Sequence, residues 1–164
     1  MKEMIYSATR IDPPEMLADG EYKGFHFYVL NLGTHPCAYV DVTDSDLNGT
    51  HYTDINIECH CGLTYSRDYL HTVDKKGWFI GWDYAHYCDF LGYELEKPIY
   101  KRTNGKKWTT YEIINECKQV IDQIAADHPT KKGGEGGVRD RLTELPKDVS
   151  MFDILYADDG RIKR

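Results

Sequence analysis

Between residues 55 and 90 the chain gathers nearly all of the side chains that could do chemistry. The run Ile55-Asn56-Ile57-Glu58-Cys59-His60-Cys61-Gly62-Leu63-Thr64-Tyr65-Ser66 is followed, after a polar break, by Gly77-Trp78-Phe79-Ile80-Gly81-Trp82-Asp83-Tyr84-Ala85-His86-Tyr87-Cys88-Asp89-Phe90. Each run starts with apolar alternation and ends in imidazoles, hydroxyls and carboxylates. Neighbouring strands would deliver His60, Thr64, Tyr65, Ser66, Trp82, Asp83, His86 and Asp89 to one end of a sheet.

Three chemistries fit that set. The first is ligand binding, in which Tyr65 or Trp82 stacks on a base, a contribution of roughly 1–3 kcal/mol per base. Asp83 then accepts from ribose or a base edge, and His60 and His86 face phosphate oxygens. The second is a metal centre for hydrolysis, since His60, Asp83, His86 and Asp89 are ligand types for zinc, manganese or iron. The third is structural, with Asp83 and His60 fixing turns through hydrogen bonds. A thiolate–imidazole pair of Cys61 or Cys88 with His60 or His86 is a weaker fourth reading.

The elements that must position these residues are legible in part. Phe25, Phe27 and Val29 alternate with His26, Tyr28 and Leu30, which reads as a strand over 22–31. Residues 37–42 read as its hairpin partner across the Leu32–Pro36 turn. A strand is also expected at 55–59, and another at 77–83 with Trp78, Ile80 and Trp82 on one face. Gly81 on the other face leaves room for a ligand or another backbone. Thr109 and Glu112 form a capping-box pair, and Ile113, Cys117, Val120, Ile121 and Ile124 recur at helical spacing, so a helix is expected from Thr110 to His128. The fold class is therefore α+β: a mainly antiparallel sheet packed against one long helix in the C-terminal half.

The chain of 164 residues fits one domain. Residues 1–20 read as an N-terminal arm or edge segment, with turns at Asp12-Pro13-Pro14 and Asp19-Gly20. Residues 130–137 read as a flexible glycine-rich loop, and 101–107 as a basic turn. A net charge of −7 argues against binding a nucleic-acid backbone. Five cysteines without an apolar leader, and no run long enough to span a membrane, point to free thiols in a reducing cytoplasm. The tight Cys59-x-Cys61 spacing, with no second pair, argues against a structural zinc site.

The two motif runs, with Tyr22-Lys23-Gly24 and His35 to Val40 ahead of them, resemble a family of small phage and prophage proteins. Those proteins carry His-Gly-Gly-Leu-Thr-Tyr/Phe-Ser and then Trp-Trp-Ile-Gly-Phe-Asp-Cys-Ala-His-x-Gly-Asp. The likeness covers roughly residues 22 to 90 and departs at Cys61 and Cys88, where glycine is usual. It implies a phage accessory protein in the bacterial host cytoplasm, with His60, Thr64, Ser66, Asp83, His86 and Asp89 at the family positions. By analogy with other small phage proteins, such a protein would sequester a nucleotide-type host immune signal, needing no cofactor and acting as a homo-oligomer. The alternatives are a metal-dependent nucleotide or phosphoester hydrolase and a protein–protein inhibitor of a host defence enzyme.

Overall fold

The computed structural model describes residues 1–96 and 105–130, and the account below concerns the compact unit Met1–His128. The glycine-rich stretch, most of the basic turn and everything after residue 130 lie outside the described residues. Five antiparallel strands form one sheet in the order β1-β2-β3-β5-β4. They are β1 (Glu15–Tyr22), β2 (Phe25–Asn31), β3 (Pro36–Asp41), β4 (Tyr65–Arg67) and β5 (Phe79–Asp83). One helix, α1 (Thr110–Asp127), packs on β1, β2 and β3. The fold is α+β, a mainly antiparallel sheet against a single long helix.

The two faces follow from strand alternation. Phe25, Phe27, Val29, Ala38, Val40, Ile80 and Trp82 point to the helix and form the larger core with Ile113, Cys117, Val120, Ile121 and Ile124. Burying the four helix residues Ile113, Val120, Ile121 and Ile124 contributes about 1.5–3 kcal/mol each. The helix begins where expected, because the Thr109 hydroxyl accepts from the Glu112 amide while Glu112 accepts from the Thr109 amide. On the opposite face Tyr28, Leu30, Cys37, Tyr39, Leu70 and Phe79 form a second, smaller cluster.

Two expectations are corrected. The first concerns residues 15–22, read as part of an arm or edge segment that turns at Asp19-Gly20; they do lie at an edge, but as the continuous strand β1, paired with β2 along its length with no turn at Gly20. Gly20 sits inside that strand because the Phe27 ring lies across it, only 2.7 Å from where a Cβ would stand. The real turn is Lys23-Gly24, both at positive φ, which closes the tight hairpin from Tyr22 to Phe25. The second concerns residues 55–59, expected as a strand of the sheet. They run extended along α1 instead. Glu58 exchanges bonds with the Gln123 side chain (2.8 and 2.7 Å), and the His60 amide donates to Glu116 at 2.6 Å. The pairing to β5 starts later, with Thr64 N–H on the Gly81 carbonyl.

The space beside Gly81 is filled by protein. A Cβ there would lie 2.4 Å from Cδ1 of Tyr39 and 2.7 Å from the Ala38 carbonyl oxygen, which the β3–β5 ladder holds in place. Gly81→Ala is expected to cost about 1–3 kcal/mol through this overpacking. A thermal melt unchanged from the parent would refute that reading.

Candidate functional site

Two hollows of different character meet at the end of β5, and Asp83 stands between them. The first is a compact polar cluster on the helix side. Asp89 at its centre is fully buried, and its carboxylate accepts from His60 Nε2 (2.9 Å to each oxygen), Trp108 Nε1 (2.8 Å) and the His86 amide (2.9 Å). The Cys88 thiol adds a weak contact at 3.7 Å. His60 is stacked on Tyr84 with ring centroids 4.6 Å apart and an interplanar angle of 12°, and Trp108 and His86 meet it edge-on. The Tyr84 hydroxyl donates to Glu116, which also fixes the His60 amide, so the helix sets the position of this imidazole.

His86 joins the cluster to Asp83. Its Nδ1 lies 3.6 Å from Asp83 Oδ1 and 3.5 Å from Asp89 Oδ2. The turn that places it is an Asx turn, in which Asp83 Oδ1 accepts from the Ala85 amide at 3.1 Å. Thr64 donates to the other Asp83 oxygen at 3.3 Å. The turn 59–62 brings Cys61 to the same place at φ 56°, a left-handed conformation that costs a cysteine what glycine would adopt freely. Cys61 and Cys88 are both exposed. Partial burial pushes the Cys61 thiol above its ordinary pKa, and Cys88, Asp89 and Asp83 push it further. A thiol held protonated in this way is a poor nucleophile at neutral pH, which counts against the thiolate–imidazole reading.

The second hollow is a cleft of about 610 Å³ on the sheet face away from the helix. The Tyr39 and Tyr65 rings, 5.1 Å apart and edge-to-face, form its inner wall, and Leu30, Leu32 and Leu70 extend the apolar lining. Around this apolar surface stand Arg10, His35, His71, Thr64, Asp12 and Asp83. Burial holds His35 below the ordinary imidazole pKa; Asp83 opposes that and Arg10 reinforces it. His35 is thus a neutral ring at neutral pH, able to donate or accept.

Of the eight residues expected to share one site, Thr64, Tyr65 and Asp83 line the cleft, Trp82 borders it with almost no exposed surface, and His60, His86 and Asp89 build the cluster behind it. Ser66 faces a separate hollow, where its hydroxyl accepts from the Tyr52 amide at 3.0 Å. Trp82 is 1 % exposed, with its indole N–H on the Tyr84 hydroxyl, so no base can stack on it. Its even position in β5 turns the ring into the helix-side core. Sequence reasoning missed Arg10, His35, Tyr39 and His71 in the cleft, and Trp108 in the cluster. Only the β3–β5 register, which pairs Cys37 with Asp83, could have placed His35 near Asp83.

Acid and base should both destabilise the protein, for different residues. Burial raises the Asp41 carboxyl, but the Lys75 ammonium and the Thr43 bonds outweigh it, leaving a depressed pKa. Asp89 shows the same balance, with burial overcome by His60, the His86 amide and Trp108. Depressed carboxylates stabilise above their unfolded pKa and lose that contribution as pH falls through the folded value. His35, also depressed, begins to lose stability once pH drops below the ordinary imidazole range. Burial raises the Cys37 thiol to about 12, so its contribution is lost as pH rises from the ordinary thiol range toward that value. Melting midpoints across pH should therefore peak near neutrality; a midpoint that climbs on acidification would contradict these assignments.

Compared with known proteins, the chain matches no family model, no curated protein and no solved structure. Among the described residues, no helix is long and apolar enough to cross a membrane.

Proposed function

We propose that this protein binds a small nucleotide-type anion in the cleft between β3, β4 and the Arg10 segment. The observation that carries this reading is the combination of lining groups within one hollow. Its volume, about 610 Å³, falls in the range of small-molecule sites. Two fixed tyrosine rings offer an aromatic wall, Arg10 a permanent cation, His35 and His71 donors for phosphate oxygens, and Asp83 an acceptor for ribose or base-edge donors. The phage-protein resemblance supports a sequestering role, in which a host immune nucleotide is held intact. Asp89 has both oxygens engaged by four donors, which favours an organising role for it over the ligand role that the hydrolase alternative requires.

Calorimetric titration of the full chain against cyclic dinucleotides, cyclic ADP-ribose isomers and mononucleotides tests the proposal. The expected result is saturable binding of at least one of them, with the compound recovered unchanged after heat denaturation. Silence across the panel at high protein concentration would overturn it, and recovery of a cleaved product would replace binding by hydrolysis.

A further inference from the structure

The geometry points to a zinc-class metal site on the outer side of the buried cluster, with His60, Cys61 and His86 as ligands and Cys88 as the fourth. One ligand atom from each of His60, Cys61 and His86 lies within 4.8 Å of the others. A second set, His60, Cys88 and Asp89, meets the same limit and shares His60. Around tetrahedral zinc, ligand atoms stand roughly 3.3–3.8 Å apart, given bond lengths of about 2.0–2.3 Å. The 4.8 Å limit exceeds these separations by about an ångström, and rotation of the two exposed cysteine side chains would bring their sulfurs into a tetrahedral arrangement with the imidazoles. Two imidazoles with two thiols make the Cys2His2 donor set, which selects zinc over hard cations.

Three further observations favour a cation here. First, the carboxylates of Asp83 and Asp89 lie beside His86, and the two cysteines next to them are exposed, so the spot is acidic and open on its outer side. Second, Asp89 grips Nε2 of His60, the carboxylate–imidazole pairing that fixes the ring of a metal-bound histidine and raises its basicity. Third, Cys61 occupies a left-handed backbone position, where a cysteine carries a conformational cost that a glycine would not. The four residues come from two turns, 59–62 and 84–89, so neither the Cys59-x-Cys61 spacing nor any other linear pattern announces the set. The expectation of no structural zinc rested on that spacing. The site uses Cys61 with a partner 27 positions away and leaves Cys59 against the core.

Untagged full-length protein, stripped with chelator under reducing conditions and titrated with Co²⁺ and then Zn²⁺, tests this. One Co²⁺ per chain should bind, with a thiolate-to-cobalt charge-transfer band and the intense visible bands of tetrahedral cobalt, and Zn²⁺ should displace it. Cys61→Ser and Cys88→Ser should each weaken the charge-transfer band and lower zinc affinity at least tenfold. Cys59→Ala should keep both. Circular dichroism of the metal-free variants checks that they fold, and a zinc-induced rise in melting temperature should appear in the parent and vanish in the Cys61→Ser/Cys88→Ser double variant. No stoichiometric binding, cobalt bound without a thiolate band, or a band that survives in the double variant would each overturn the assignment. Loss of the two thiols to a disulfide under reducing conditions would do the same.

Discussion

Asp89→Ala is expected to be the most damaging of the substitutions considered, lowering stability by about 3–5 kcal/mol, because it strands several buried donors at about 1–3 kcal/mol each. For a unit of this size that corresponds to a fall in melting temperature of roughly 10–20 °C. The loss is large because one carboxylate satisfies several donors at once. Without it, the Trp108 indole N–H and the His86 amide lose their acceptor, and the His60 ring loses both of its hydrogen bonds to the carboxylate. Each unsatisfied buried donor costs about 1–3 kcal/mol. Asp89→Asn keeps the shape and one acceptor oxygen but turns an amide N–H₂ toward a donor, so its cost should fall between those of the parent and alanine. Near-ultraviolet circular dichroism should change with stability, because the Tyr84–His60–Trp108 stack depends on the same anchor. A loss under 1 kcal/mol for the alanine variant would show that the cluster does not hold this end of the sheet.

How much of this was legible in advance differs between fold and site. The helix was readable because its signal is local: the Thr109–Glu112 cap and the stripe from Ile113 to Ile124 lie within one continuous stretch. Strands β2, β3 and β5 were readable because their alternation reflects two buried faces. β1 was hidden because Gly20 looks like a turn residue until the Phe27 ring is placed over it. The stretch 55–59 alternates just as a strand does, but its backbone partners are the side chains of Gln123 and Glu116, which no pattern in that stretch can announce. The candidate site divides along the same line. His60, His86 and Asp89 were singled out because polar residues cluster at the ends of two apolar runs, and they do meet. The cleft was not legible, since Arg10, His35, Tyr39 and His71 come from four separate segments and converge only through strand register and the path of residues 1–14. Stacking by Trp82 failed on parity alone: one position along β5 decides between the core and the open face.

Arg10→Ala should weaken binding of a nucleotide anion by about 10–100-fold, the equivalent of losing a hydrogen bond to a charged group at about 1.5–3 kcal/mol. Arg10 is exposed, so its removal should leave the melting temperature within about half a kilocalorie's worth of the parent. Trp82→Phe, by contrast, should alter stability and leave affinity nearly unchanged, since the indole is sealed in the helix-side core. His35 adds a pH signature. Its ring is neutral in the free cleft because burial, with help from Arg10 and His86, outweighs the pull of Asp83 and Asp89 toward protonation. A phosphate placed beside it adds negative charge, raises its pKa and draws in a proton. Affinity should then rise as pH falls through the imidazole range, and the calorimetric enthalpy should vary with the ionisation heat of the buffer. His35→Gln should diminish both effects while keeping a hydrogen-bonding group in place. If Arg10→Ala binds as tightly as the parent, or if proton uptake is undiminished in His35→Gln, the ligand lies elsewhere than between β3, β4 and the Arg10 segment.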